Sequence, residues 1–302
     1  MSSGECFARV GEIDLCYETF GSESAPPLLL VMGLASQMVL WDDDFCQTMA
    51  DAGFWVIRFD NRDVGRSTIL RDAPVPGRRQ LLRRDPRAAS YSLDDMADDT
   101  AGLLDHLEVS TAHVVGASMG GMIAQLLAIR HPDRVRSLVS IMSTTGNRRV
   151  GGIRPSLYPR VLRRERPGRE NYVRGFSSTF RAIGPKRYPH DPQRLRALAE
   201  RCFDRGVHPA GAARQLAAIV TTADRTTVLG QVKVPTTVIH GEADALVKPS
   251  GGRATAAAIP DARLVMVPGM AHDMPPALWP QIVEEISRSA ASVPQPTEES
   301  RP

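Results

Sequence analysis

Lysine is nearly missing from this 302-residue chain: Lys186, Lys233 and Lys248 are the only ones, so arginine supplies almost all of the positive charge. GC-rich coding accounts for such a skew, and arginine clusters are therefore read with caution. The net charge of +3 at pH 7 is too small to imply a nucleic-acid partner. Cysteine is sparse as well. Cys6, Cys16, Cys46 and Cys202 are scattered without C-x-x-C or Cys/His spacing, which argues against disulfides and structural zinc and leaves them as small apolar fillers. No apolar run is long enough to cross a bilayer, and Met1 to Gly11 lacks the basic segment and apolar core of a signal peptide. A cytoplasmic protein is the resulting expectation. Only the ends suggest disorder, and the polar, proline-rich residues 293–302 are expected to form a loose tail.

What the chain does contain is alternation. Strand-like apolar runs alternate with helix-like periodic runs, which predicts an α/β protein with a mostly parallel sheet and helices on both faces. Cys6 to Val10 and Ile13 to Tyr17, joined through Gly11-Glu12, read as an antiparallel hairpin at one edge. Continuous apolar strands follow at Leu28 to Met32 and Phe54 to Phe59, with a helix from about Asp42 to Ala52 between them. Ser92 to Leu107 reads as a helix opened by a capping box of Ser92 and Asp95. Val135 to Met142 is a further strand. From about Ser143 to Gly230 there are helical patches, glycine and proline breaks, and no convincing strand. Alternation resumes with strands at Thr236 to His240 and Arg263 to Val267, and helices at Pro249 to Ile259 and Ala277 to Ser289. The expected organisation is a core in two parts, 1–142 and 231–292, interrupted by a helical cap insertion at 143–230.

One serine stands out. An apolar run from His113 to Val115 leads into Gly116-Ala117-Ser118-Met119-Gly120, and a helix with Ile123, Leu126, Leu127 and Ile129 then runs to His131-Pro132. A G-x-S-x-G pattern occurs by chance often, and such a turn can merely connect elements. Here a buried strand precedes it and an amphipathic helix follows. That is the context a strained strand-to-helix bend requires, with Gly116 and Gly120 giving room for close approach. Ser118 then stands on the carboxyl edge of the sheet, and helix N-terminal amides starting at Met119 face any oxyanion forming above it.

Three further segments also end strands: Val31-Met32-Gly33-Leu34, Asp60-Asn61-Arg62-Asp63-Val64-Gly65-Arg66-Ser67, and His240-Gly241-Glu242-Ala243-Asp244 with Gly269-Met270-Ala271-His272 beyond it. Together with the Ser118 turn and the order of elements, they resemble the α/β-hydrolase family over nearly the whole chain. Within it the chain is similar to bacterial carboxylesterases of the type that includes aclacinomycin methylesterases and mycobacterial lipase/esterase proteins. The resemblance implies an eight-stranded, mostly parallel sheet and a triad in the chain order serine, acid, histidine: Ser118 as nucleophile, Asp244 as acid, His272 as base. Glu242, two residues nearer the strand end, is the rival acid and is read as shaping the turn. The implied oxyanion hole pairs the amide of Met119 with that of Leu34. Met32 stands where many relatives carry histidine, so a side-chain hydrogen bond that steadies this loop is missing. The implied reaction is two-step hydrolysis of a carboxylic ester with no metal and no organic cofactor. Serine at the bend excludes the dehalogenase and epoxide-hydrolase branches, whose nucleophile is aspartate. Cofactor-free perhydrolases or haloperoxidases, carbon-carbon bond hydrolases, enol-lactone hydrolases and slow-turnover ligand sensors share this core and stay open as alternatives.

The expected partner is a small-molecule ester or lipid-like acyl substrate; oligomeric state is not legible. Arg148, Arg149, Arg154, Arg160, Arg163, Arg164, Arg166, Arg169 and Arg174, opposed by Glu165 and Glu170, and Arg78, Arg79, Arg83, Arg84 and Arg87 in the loop before Ser92 suggest a positive rim for anionic lipid or acyl-carrier substrates. The competing reading is a solvated arginine-rich surface. Asp60 to Ser67 reads as scaffolding eased by Gly65, and Met38 and Trp41 as pocket wall or core. Among the other histidines, His131 is expected on the last carbonyls of its helix, His113 and His240 in the core, and His106 near a helix end. His190 and His208 fall in the cap, where either could touch substrate. Asp273 is not expected to reach the ring of its neighbour His272.

Overall fold

A computed structural model describes residues 2–157 and 167–293. Arg160, Arg163, Arg164, Glu165 and Arg166 of the expected rim, and all but the first residue of the expected tail, lie outside the described residues. Strands β1 (Cys6–Val10), β2 (Ile13–Phe20), β3 (Pro27–Val31), β4 (Trp55–Phe59), β5 (Ala112–Ala117), β6 (Val135–Ile141), β7 (Thr236–Gly241) and β8 (Arg263–Val267) form one sheet in the order β1-β2-β4-β3-β5-β6-β7-β8. Pairing is antiparallel for β1 with β2 and for β2 with β4, and parallel from β4 through β8. β2 runs past Tyr17 to Phe20 because its second half pairs with β4, Tyr17 opposite Phe59 and Phe20 opposite Val56.

Helices cover both faces. They are α1 (Asp43–Asp51), α2 (Arg78–Arg83), α3 (Leu93–His106), α4 (Met119–Arg130), α5 (Arg169–Ile183), α6 (Pro192–Arg205), α7 (Pro209–Thr221), α8 (Ser250–Ala258) and α9 (Trp279–Ala291). Leu28, Leu30, Val56 and Val115 pack with Phe45 of α1 and Ile282 of α9, whereas Leu29, Val31, Ile57 and Val114 pack with Leu103 of α3 and Ile123 of α4. Successive residues of a strand point to opposite faces, so burial of both faces is why these strands are continuously apolar. The capping box of α3 is present: Asp95 N–H donates to Ser92 Oγ at 3.1 Å, and Ser92 N–H donates to Asp95 Oδ2 at 2.7 Å.

Two expectations are corrected. The helix after Ser118 is not amphipathic: every residue from Met119 to Ala128 is buried, because α3 covers the side turned away from the sheet. The arginine-rich stretch before Ser92 is not simply a loop, since Arg78–Arg83 forms α2 and Pro86–Ala88 a 3-10 turn. Gln80 Oε1, at the third helical position, accepts the Gly77 N–H at 2.8 Å, the glutamine half of a capping box in which Gly77 has no side chain to supply the other half.

Between β6 and β7 the described residues carry α5, α6 and α7 and no strand. This segment is tied to the sheet's carboxyl edge by buried polar contacts. Gln37, after β3, donates to Cys202 O at 2.7 Å and Gly206 O at 2.8 Å. Arg214 of α7 grips Asp63 with two bonds of 2.7 Å, and both side chains are essentially unexposed. Burial pushes the Asp63 carboxyl up, but Arg214 and the Leu70 N–H outweigh it and hold the carboxyl below its usual range. Arg214→Ala strands a buried carboxylate, and we expect a loss of about 3–5 kcal/mol, read as a lower urea midpoint at pH 7. Among the described residues no helix is long and apolar enough to cross a membrane.

Candidate active site

The chain bends sharply where β5 meets α4. Ser118 has φ 57° and ψ −117°, a conformation that costs a non-glycine residue roughly 1–3 kcal/mol and persists only when its surroundings hold it. They do. Its N–H donates to Ile141 O at 2.9 Å, and its carbonyl accepts from Ser143 Oγ at 2.8 Å. Strand, bend and helix come so close that a Cβ on Gly116 would lie 2.1 Å from Gly120 O, and one on Gly120 would lie 2.0 Å from Val31 O. Only glycine fits either position.

Asp244 lies in the loop after β7 and is 2% exposed. Its Oδ1 accepts the N–H groups of Leu246 and Val247, each at 2.9 Å, which leaves Oδ2 facing the histidine loop. That loop follows β8 and approaches β7 closely; a Cβ on Gly241 would meet Met270 O at 2.2 Å. The loop is also held from above, where His272 N–H donates to Ile183 O at the end of α5 at 3.0 Å.

Ser118, His272 and Asp244 come together in one hydrogen-bonded line. Asp244 Oδ2 lies 2.7 Å from His272 Nδ1, and His272 Nε2 lies 2.9 Å from Ser118 Oγ. An ionised carboxylate can only accept, so Nδ1 carries the ring proton, Nε2 is the acceptor, and Ser118 donates to it. Burial raises the Asp244 carboxyl, but His272 and His240 bring it down to about 2, so it is charged at any neutral pH. His240 adds a second contact, its Nε2 lying 3.5 Å from Asp244 Oδ2 while donating to Val247 O at 2.9 Å. The rival acid Glu242 is exposed.

The loop after β3 leans over the serine. A Cβ on Gly33 would be 3.2 Å from Ser118 Cβ, and the N–H groups of Leu34 and Met119 have no hydrogen-bond partner among the described residues. Met32 contributes no side-chain hydrogen bond here. Asn61 Nδ2 instead donates to Met32 O at 3.0 Å, Asp60 Oδ1 accepts the Met38 N–H at 2.7 Å, and Gln215 Oε1 accepts the Ala35 N–H at 2.8 Å. Gln215 also donates to Arg62 O at 2.7 Å, locking α7 to both loops. The sequence reading missed Gln215. Its one signal was a polar residue on the inward stripe Gly211, Arg214, Gln215, Ala218 of α7.

The site opens into a cavity of ≈ 910 Å³ walled mainly by apolar side chains, among them Trp41, Phe45, Met122, Phe180 and Trp279. Trp41 is thus pocket wall, whereas Met38 is core, packed with Cys16, Val39 and Cys202. Arg78, Arg84 and Arg148 reach the cavity, but Arg169 is occupied by Asp204 and Glu200. His190 lines the cavity and pairs with Asp273, a partner for Asp273 that sequence did not suggest; His208 does not line it and binds Gly65 O. His131 pairs with Asp98 at 2.7 Å rather than with the carbonyls of its helix, because α3 brings a carboxylate within reach. His113 is buried against Ser137, and burial, reinforced by Arg136, pushes it down to about 4. Among the described residues no group of three or more His, Cys, Asp or Glu could hold a metal ion.

Comparison with known proteins gives the family and the fold. A family model described as "alpha/beta hydrolase fold" matches residues 26–275. A protein named as carbamate hydrolase RutD of Azorhizobium caulinodans is 31% identical over 284 residues, 93% of this chain and 96% of its own. The rhodomycin D methylesterase DauP of a Streptomyces species is 37% identical over 131 residues, 43% of this chain. The matched stretch spans only 39% of that methylesterase. Among solved structures, the enol-lactonase of Burkholderia xenovorans superposes with a TM-score of 0.72 at 24% identity, over 95% of this chain and 100% of its own, a likeness of fold.

Proposed function

Because this chain belongs to the α/β-hydrolase family, we propose that it is a carboxylic ester hydrolase working through an acyl-enzyme on Ser118. The observation that carries this reading is the line Ser118, His272, Asp244, with its bonds of 2.9 and 2.7 Å. His272 takes the serine proton as the hydroxyl attacks the ester carbonyl, and Asp244 stabilises the imidazolium that results. The imidazolium then protonates the departing alcohol. In the second half, His272 activates a water that hydrolyses the acyl-enzyme. The N–H groups of Leu34 and Met119 receive the oxyanion, each donor worth on the order of 10² to 10³ in turnover. Residues 143–230 act as a cap over a core made of 1–142 and 231–292, and their apolar cavity wall accommodates the ester's carbon chain. The rhodomycin D methylesterases among the relatives support ester hydrolysis, and other relatives are named for carbamate and enol-lactone hydrolysis.

A fluorophosphonate phosphonylates an activated serine and mimics the tetrahedral intermediate. We expect one adduct per chain, mapped by peptide mass spectrometry to the peptide containing Ser118 and absent from Ser118→Ala. Labelling at another residue, or none, would overturn the assignment.

A further inference from the structure

Among the described residues, the most deeply buried arginines carry a carboxylate, with one exception. Arg58 is paired with Glu18 and Asp43, Arg205 with Asp60, and Arg214 with Asp63. Arg225 is 3% exposed and has no carboxylate at ion-pair distance among the described residues, Asp94 and Asp224 acting on it from farther off. Three neutral contacts orient it. Its Nε donates to Gln125 Oε1 at 3.3 Å, its Nη2 to Thr144 O at 2.9 Å, and its backbone N–H to Thr145 O at 2.9 Å. Nη1 is buried with no partner. Burial pushes this guanidinium down to about 10 against the opposing charges of Asp94 and Asp224, so it remains cationic at neutral pH.

This charge borders the cavity that contains Ser118 and His272. Gly146 borders the same space, and a Cβ there would lie 3.2 Å from Nη1, so Nη1 packs directly against this glycine with no side chain between them. Thr144 also lines the cavity, and its Oγ1 is buried without a partner. Arg225 and Thr144 thus line the same cavity as Ser118, and Ser143, the residue before Thr144, holds the Ser118 carbonyl. An unpaired buried cation is costly, and its persistence in a cleft points to a counter-charge brought by a ligand. Two donors and one positive charge match the two oxygens and single charge of a carboxylate.

We propose that Arg225 and Thr144 form a subsite for a carboxylate carried by the ester, so that the substrates are half-esters of dicarboxylic acids. The proposal rests on the esterase reading and narrows it to acidic substrates. Binding, rather than turnover, is the test. Calorimetry on Ser118→Ala protein compares the monoethyl esters of succinic through suberic acid with the matching ethyl ω-hydroxyalkanoates. At the best chain length we expect the acid to bind at least about tenfold more tightly than the alcohol. Arg225→Gln should abolish that preference, Arg225→Lys should keep part of it, and Thr144→Val should reduce it. Equal Kd values for acid and alcohol at every length, or a preference that survives in folded Arg225→Gln, would overturn the subsite. If Arg225→Gln does not fold by circular dichroism, Thr144→Val decides: an undiminished preference overturns the proposal. Because this test reads binding and not turnover, a failure of the ester chemistry would show in the labelling experiment and not here.

Discussion

Ser118→Ala is expected to lower turnover of p-nitrophenyl esters by about 10⁴-fold or more, with the fold intact. The size follows from cooperation: His272 without a hydroxyl to deprotonate has no task, so one substitution removes the contribution of the whole line. What remains is oxyanion stabilisation and binding acting on water alone. The fold should survive, because among the described residues Ser118 Oγ bonds only to His272, and the bend is held by the Ser118 N–H to Ile141 O and Ser143 Oγ to Ser118 O contacts, which alanine keeps. A series of acyl lengths with wild type and variant checks both points. Comparable rates in the two proteins would move the chemistry elsewhere, and in wild type the length at which kcat/KM peaks measures the usable depth of the cavity.

The parts legible in sequence are those whose physics is local. A strained turn needs glycines within two residues of Ser118, and the loops bearing Asp244 and His272 each follow a short apolar strand by a few residues. Strand, bend and loop could therefore be read from adjacent letters. The cap contacts could not. Gln215 meets Ala35 across 180 positions, Arg214 meets Asp63 across 151 and Arg225 meets Gln125 across 100, so no window of sequence contains both partners. α4 deceived for a related reason: its apolar stripe was visible, but not that α3 would bury its other side. α2 was hidden by its own residues, since arginines show no apolar period and Pro76-Gly77 and Pro86 read as breaks. His190 and Asp273 show the same limit at the site itself, a pair that depends on where the α5 to α6 loop lands.

Asp244→Asn tests the acid with an almost isosteric change, and a loss of about 10³ to 10⁴ in kcat is expected at neutral pH. The surroundings determine how the new amide must sit. Leu246 and Val247 both donate to Oδ1, so the asparagine oxygen stays there and its NH₂ faces His272. A donor in that place requires Nδ1 to accept, which puts the ring proton on Nε2, pointing at Ser118. In that tautomer the imidazole cannot take the serine proton, although the atoms have hardly moved. The same substitution has a second readout. A carboxyl held at about 2, against its usual 3.8, stabilises the fold above pH 4, and this contribution is lost as pH falls through that interval. Wild type should therefore lose about 2 kcal/mol of stability between pH 4 and pH 2 that Asp244→Asn does not lose, read as a smaller drop in urea midpoint for the variant. A kcat within tenfold of wild type, with the fold unchanged, would remove Asp244 from the mechanism. Equal acid sensitivity in the two proteins would remove the ionic link between Asp244 and His272.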